Sequence, residues 1–282
     1  MLLLGKPVAE SLDKQTKDML NTLAYANVVP SLVTVRQGAS EDAISYEKMI
    51  NRKCESFGIK VDNVIWNEDM KEKAMIHDML SYGDNSLVDG IMVFRPLVNR
   101  EIENKVCNVI NSFKDVDCCS DDALGKLMIG KAQYAPCTAK AVIELLDYYN
   151  IPLEGKHIVV IGRSKVIGLP VAMMLQQRNA TVTMCHSKSE SLDIITRSAD
   201  IVIVAAGKMQ TFGKEYFEPW QTVIDVGIHF NSETQKMCGD VKDEVYDYVK
   251  AITPVPKGLG SVTTSVLVNQ FVQRLYKDYE ET

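Results

Sequence analysis

The chain has 282 residues, of which 46% are hydrophobic and 24% charged, an ordinary globular composition with room for about two domains. Its net charge of −6 is spread along the chain with no long basic block, which argues against a nucleic-acid partner and against attachment to a membrane surface. No apolar run approaches the roughly 20 residues of a membrane span, and Met1 to Gly5 is too short an apolar start for a signal peptide. The cysteines at 54, 107, 118, 119, 137, 185 and 238 form no C-x-x-C pair, so reduced thiols in a cytoplasm are expected. Adjacent Cys118 and Cys119 lack the spacing and nearby histidines of a zinc site, and no metal is expected.

Helical spacing of Leu12, Met19, Leu20 and Leu23 predicts a first helix over 8–27, and Pro30 introduces a strand over Ser31–Val35. A second helix runs from Ser40 to Phe57 and ends at Gly58, followed by a strand over Ile59–Ile65. Lys71–Leu80 reads as a helix closing at a turn over 82–85, and Gly90–Phe94 as a buried strand stopped by Pro96. Glu101–Phe113 gives a further helix, and 114–120 a polar connection. Helix alternating with strand over these residues predicts an α/β layer. A second unit opens with Thr138 capping a helix over Ala139–Tyr149. The apolar segments Ile158–Ile161, Ala180–Met184, Ile201–Ala205 and Thr222–Val226 recur at βαβ spacing, predicting four strands of a Rossmann-type sheet. A last helix over Val262–Tyr279 has no strand after it and is expected to return to the first domain.

The stretch His157–Leu175 has the grammar of strand, phosphate loop and helix. Its spacing, Gly162, Ser164, Gly168, is one residue longer than the usual dinucleotide fingerprint, and it is not a Walker loop, because Leu169 and Pro170 follow Gly168. A helix starting just after Ser164 would aim free N–H groups at an anion, with Arg163 adding charge. Ligands of such sheets bind beyond the carboxyl ends of the strands, so Gly162 to Ser164, Cys185 to Lys188, Ala206 with Gly207, and Asp225 to Ile228 are expected on one rim.

Ile161–Pro170, Cys185–Ser187, Val223–Ile228, Gly239–Val241 and Thr253–Pro256 occur in an order that resembles the bifunctional methylenetetrahydrofolate dehydrogenase/cyclohydrolase family. Asp89–Ile91, Lys114–Asp117 and Pro136–Thr138 fall at matching intervals, so the resemblance spans nearly the whole chain. It implies a two-domain α/β enzyme: residues 1–137, completed by the C-terminal helix 261–282, as the smaller folate-binding catalytic domain, and 138–260 as a Rossmann-type NAD(P)-binding domain. A folate cleft between them, a homodimer, and oxidation of 5,10-methylenetetrahydrofolate to the methenyl form are implied too, with hydrolysis to 10-formyltetrahydrofolate in most members. Gly162, Arg163, Ser164, Gly168, Ser187, Ala206, Gly207, Gly227 and Ile228 would bind the cofactor. Tyr46, Phe94, Arg95, Asp117, Pro256, Lys257 and Gly258 would meet the substrate, with Asp117 on the amino-pyrimidine edge, Tyr46 stacked on the aminobenzoyl ring, and catalytic roles for both.

Two residue patterns refine this. An NAD site usually carries an acidic residue after its second strand, whereas Cys185-His186-Ser187-Lys188 has none; this favours NADP over NAD, with Ser187 and either Arg163 or Lys188 on the 2′-phosphate. Lys188 reads equally as a solvated loop lysine. The family carries a lysine four residues after its tyrosine and a glutamine in Val-Gln-Leu-Pro; this chain has Ile50 and the run Val93-Phe94-Arg95-Pro96. Lys48 and Lys53 fall on other faces of the helix. Ile50 and Phe94 move no protons, so weak or absent cyclohydrolase activity is expected, the alternatives being a fully bifunctional enzyme or a non-catalytic binding protein. The C-terminal loop, Pro256 to Ser261, also departs from the family's two consecutive glycines, and Lys257 is a candidate surrogate cation.

Overall fold

A computed structural model describes residues 1–281, which fall into two compact units: Met1–Glu10 with Thr138–Thr263, and Ser11–Cys137 with the residues from Thr264 onward. In the second of these, α1 (Gly5–Tyr25) from Ser11 on, β1 (Ser31–Gln37), α2 (Glu41–Ser56), β2 (Lys60–Trp66), α3 (Glu72–Asp84) and β3 (Gly90–Val93) alternate, and the strands form a parallel sheet in the order β2-β1-β3. Central β1 buries Leu32, Val33, Thr34 and Val35 in succession, as a strand covered on both faces must. Val33, Val35, Ile91 and Val93 pack with Met75, Met79 and Val106 from the helices into one core.

Helix α4 (Arg100–Asn108) begins where the Asn99 side chain accepts the Glu101 and Ile102 N–H groups. It stops five residues short of the predicted Phe113, because Asn111 folds into a turn: its side chain accepts the Phe113 N–H and its carbonyl the N–H of Lys114 and Asp115. Helix α3 runs through the predicted turn, taking in Tyr82 and Gly83. Helix α5 (Asp121–Met128) was not predicted, although Ser120 caps it through the Ala123 N–H and two acidic residues open it.

Helix α6 (Cys137–Tyr148) starts at Cys137, so Thr138 lies inside the helix and does not cap it. In the first unit, hereafter the nucleotide unit for the pocket it carries, β4 (His157–Ile161), α7 (Gly168–Gln176), β5 (Thr181–Cys185), α8 (Leu192–Arg197), β6 (Ile201–Val204), β7 (Thr222–Asp225), the hairpin β8 (His229–Asn231) and β9 (Lys236–Cys238), and β10 (Ala251–Ile252) follow. The parallel sheet has the order β10-β7-β6-β4-β5, five strands among the described residues where four were expected. The fifth, β10, is two residues long, too short for any periodic pattern. Helix α9 (Gly260–Glu280) packs, from Thr264 on, in the unit of β1 to β3. There Gly90 admits it: a side chain at that position would meet Phe271 of α9 and Val116.

Candidate nucleotide pocket and folate-side cluster

Strand β4 delivers the chain to Gly162, which adopts φ +129°; a Cβ there would collide with the Ala205 carbonyl, and one at Gly168 with the Gly162 carbonyl. The two glycines therefore let strand, turn and α7 close on one another. Helix α7 begins at Gly168 rather than just after Ser164, and the intervening turn is held by the Ile167 N–H donating to Ser164 Oγ at 3.1 Å. Beside this turn lies a cavity of about 460 Å³ lined by Gly162, Arg163, Ser164, His186, Ser187, Ala206 and Lys208, with Leu192, Phe212 and Tyr216 supplying an apolar wall.

Five of the nine predicted cofactor residues thus line one cavity: Gly162, Arg163, Ser164, Ser187 and Ala206. Gly168 lies buried behind it, Gly207 is exposed in a left-handed conformation at φ +63°, and Gly227 and Ile228 lie outside the lining, as does Lys188. Lys208 and the apolar wall were not foreseen; Leu192 belongs to the six-residue α8, too short to leave a periodic trace. Arg163, Ser187 and Lys208 are exposed at the pocket, which gives it a cationic border.

The loop carrying Ala206 to Lys208 is fixed from below by Asp240, which is fully buried. One of its oxygens accepts the Ala206 and Gly207 N–H groups at 2.8 and 2.9 Å. The other accepts the Lys208 N–H and faces His229 Nε2, both at 2.7 Å. Asp225, at the end of β7, accepts the N–H groups of Gly227, Asp240 and Val241. Burial pushes its carboxyl up to about 7 against those three donors, and the neighbouring Asp240 adds to the rise.

In the other unit α2 puts Tyr46 and Ile50 one turn apart. The Tyr46 ring meets Phe94 edge to face, with centroids 5.8 Å apart. Burial, with Cys137 and Asp117 nearby, raises the Tyr46 hydroxyl well above the ordinary tyrosine range, so it stays a protonated donor. Ile50 and Phe94 are buried in the core. Lys48 is exposed, and Lys53 is paired with Asp13, so neither occupies the place of a lysine at position 50. Asp117 Oδ2 accepts from Arg95 Nη2 and Oδ1 from the Cys137 N–H, each at 2.9 Å. Gln270 of α9 secures this neighbourhood by donating to the carbonyls of Val116 and Ala135. Tyr46, Phe94, Arg95 and Asp117 are thus brought together. Pro256, Lys257 and Gly258 belong to the nucleotide unit, where Lys257 is exposed at φ +85° and its carbonyl accepts the Gly5 N–H; that exposure gives no support to Lys257 as a surrogate cation. No group of three or more His, Cys, Asp or Glu among the described residues is arranged to hold a metal.

Residues 136–279 match the NAD(P)-binding domain of tetrahydrofolate dehydrogenase/cyclohydrolase, and residues 3–117 match its catalytic domain. The Bifunctional protein FolD of Clostridium botulinum (strain Kyoto / Type A2) is 42% identical over 273 residues, 96% of each chain. The crystal structure of the bifunctional enzyme FolD-methylenetetrahydrofolate dehydrogenase/cyclohydrolase from Campylobacter jejuni superposes with a TM-score of 0.94 at 32% identity, covering 99% of both chains. The Trypanosoma brucei N5,N10-methylenetetrahydrofolate dehydrogenase-cyclohydrolase, solved with NADP cofactor and inhibitor, gives 0.90 at 28% identity, covering 100% of this chain and 99% of that one. Matched in both its domains and along almost all of its length, the chain is an enzyme of the tetrahydrofolate dehydrogenase/cyclohydrolase family.

Proposed function

We propose that this enzyme oxidises 5,10-methylenetetrahydrofolate to the 5,10-methenyl compound with NADP, and hydrolyses that product to 10-formyltetrahydrofolate. The observation that carries the cofactor choice is the cationic border of the nucleotide pocket: Arg163 and Ser187 line it together, and Cys185 to Lys188 hold no carboxylate. The glycine turn at Gly162 and Gly168 fits a dinucleotide, because it keeps side chains out of the space where a pyrophosphate would approach the backbone. NADP supplies the hydride acceptor when bound. In this reading Arg163 and Ser187 hold the 2′-phosphate, the wall of Leu192, Phe212 and Tyr216 covers the adenine, Asp117 receives the amino-pyrimidine edge, and Tyr46 both stacks on the aminobenzoyl ring and keeps its proton.

For hydrolysis, the 42% identical relative and the Campylobacter jejuni enzyme both carry bifunctional names, and this favours full bifunctionality over the weak cyclohydrolase expected from Ile50 and Phe94. The weaker reading rests on one specific observation, the burial of both residues as core side chains. One assay separates them. Cofactor reduction with racemic methylenetetrahydrofolate, followed by decay of the methenyl product, is expected to show NADP bound about tenfold or more tighter than NAD, the size of one charged hydrogen bond, and enzyme-dependent decay. Equal use of NAD would remove the NADP assignment. Methenyl accumulation without enzyme-dependent decay would return the weaker cyclohydrolase reading.

A homodimer built through the nucleotide unit is proposed as well, supported by Ile228, Phe230 and Met237, apolar and exposed on and beside the β8–β9 hairpin. Light scattering giving a monomer mass across micromolar dilution would exclude it. A cytoplasmic setting accords with seven free cysteines.

A further inference from the structure

Arg95 is the one charged residue in the run Ile91–Leu97, and its side chain is only 17% exposed. Burying an arginine and its carboxylate together brings no stability that an apolar pair would not match, because both groups lose their water. A reason for Arg95 therefore has to be sought in what it does to Asp117. Burial works against the guanidinium charge, but Asp117 beside it, together with Cys119 and Cys107, more than offsets this and holds Arg95 above its usual range, so it neither gives up nor accepts a proton and serves only as a fixed charge and a planar donor fork.

Arg95 Nη2 holds one carboxylate oxygen of Asp117 and the Cys137 N–H holds the other, so the carboxylate cannot rotate without breaking one of the two bonds. An ionised carboxylate has about four acceptor positions, and these two backbone and side-chain bonds leave capacity on both oxygens. The complement to a carboxylate fixed in this way is a flat ligand edge with two adjacent N–H donors, such as a ring N–H beside an exocyclic amino group. We propose that Arg95 is a positioning and specificity-determining residue of the folate site: it locks Asp117 in the orientation that recognises the 2-amino-pyrimidinone edge of the pterin, the site's cation standing at the end of β3 instead of on α2. This rests on the reading of Asp117 as the carboxylate that meets the pterin.

The test compares binding of tetrahydrofolate and of its 2-desamino-2-methyl analogue to the full-length enzyme, its R95M variant and its R95K variant. R95M is expected to weaken tetrahydrofolate by about tenfold, the effect of one charged hydrogen bond, while the analogue, which lacks the amino donor, stays within about twofold. R95K should recover part of the difference, and the loss in turnover of methylenetetrahydrofolate should lie in KM with kcat little changed. A preference for the 2-amino ligand that survives in R95M overturns the proposal, as does an equal loss of both ligands, which marks a purely structural ion pair. If the unaltered enzyme binds neither folate, the reading of Asp117 itself fails, a result separate from any effect of Arg95. Should R95M fail to fold, R95K, which keeps the charge and loses the planar fork, decides by the same ratio of the two ligands.

Discussion

Replacing Asp240 by asparagine is expected to weaken NADP binding about a hundredfold and to destabilise the nucleotide unit by about 3 kcal/mol, the cost of leaving buried donors unpaired. The buried carboxylate serves four donors: two backbone N–H groups on one oxygen, and the Lys208 N–H and the His229 ring on the other. An asparagine amide sets its own NH₂ against the Ala206 and Gly207 N–H groups in one orientation and against the Lys208 N–H in the other. The loop that loses its anchor carries Ala206 and Lys208 of the pocket lining, so both affinity and stability should respond. Calorimetric titration with NADP and urea unfolding are the measurements; affinity within about threefold of the parent would show that the loop holds its shape without the anchor.

The same substitution has a signature in pH. The native state holds a proton on Asp225 up to about pH 7, whereas an unfolded chain releases it in the ordinary carboxylate range. The native state thus binds more protons than the unfolded chain across that window, and the associated stability, full at the acid end, is lost as pH rises towards 7. Asp240 contributes to raising that pKa. Removing its charge should therefore narrow the window and flatten the fall of stability between about pH 5 and 7.

Ile50→Lys alone is expected to cost about 3 to 5 kcal/mol, as for an uncompensated charge in a core, because Ile50 is fully buried and Phe94, also buried, offers no acceptor. Adding Phe94→Gln supplies a carbonyl for the ammonium, so the double variant should be more stable than the sum of the single changes by at least about 0.5 kcal/mol, the coupling of neighbours in one network. It should also raise methenyl hydrolysis relative to hydride transfer. Urea midpoints of the four proteins, with both activities measured on each, test this. Strict additivity in stability would mean that the two positions do not meet. A fully active parent whose hydrolysis the double variant leaves unchanged would mean that hydrolysis here never depended on such a pair.

The elements readable in advance were those with a strong local pattern. Ile158 to Ile161 and Ile201 to Val204 are unbroken apolar runs, Leu32 to Val35 is interrupted only by Thr34, and each is a central or covered strand. Misplaced boundaries came from single side chains acting on the backbone: Asn111 ending α4 early, and Ser164 holding a turn ahead of α7. Of the pocket lining, Gly162, Arg163, Ser164 and Ser187 were legible because motif spacing marks them, whereas Tyr46 and Asp117 were singled out by the family resemblance. Asp240 as an anchor was not, since its partners lie 11 to 34 residues away and include backbone N–H groups that no side-chain pattern records. The pairing of Arg95 with Asp117, 22 positions apart, was equally hidden, although both residues had been singled out.

Residues from Thr264 onward complete the unit that begins at Ser11, and they do so through polar bonds in its interior. Asn269 donates to the Leu12 carbonyl across 257 positions, and Gln270 to Val116 across 154. During synthesis the segment Ser11–Cys137 must therefore wait for α9 before its core is closed. The nucleotide sheet, whose strands run from 157 to 252, has been translated in full by then. Order of emergence and order of completion are reversed, and in the interval the face of β3 that later receives Phe271 stands uncovered, a surface for chaperones to shield.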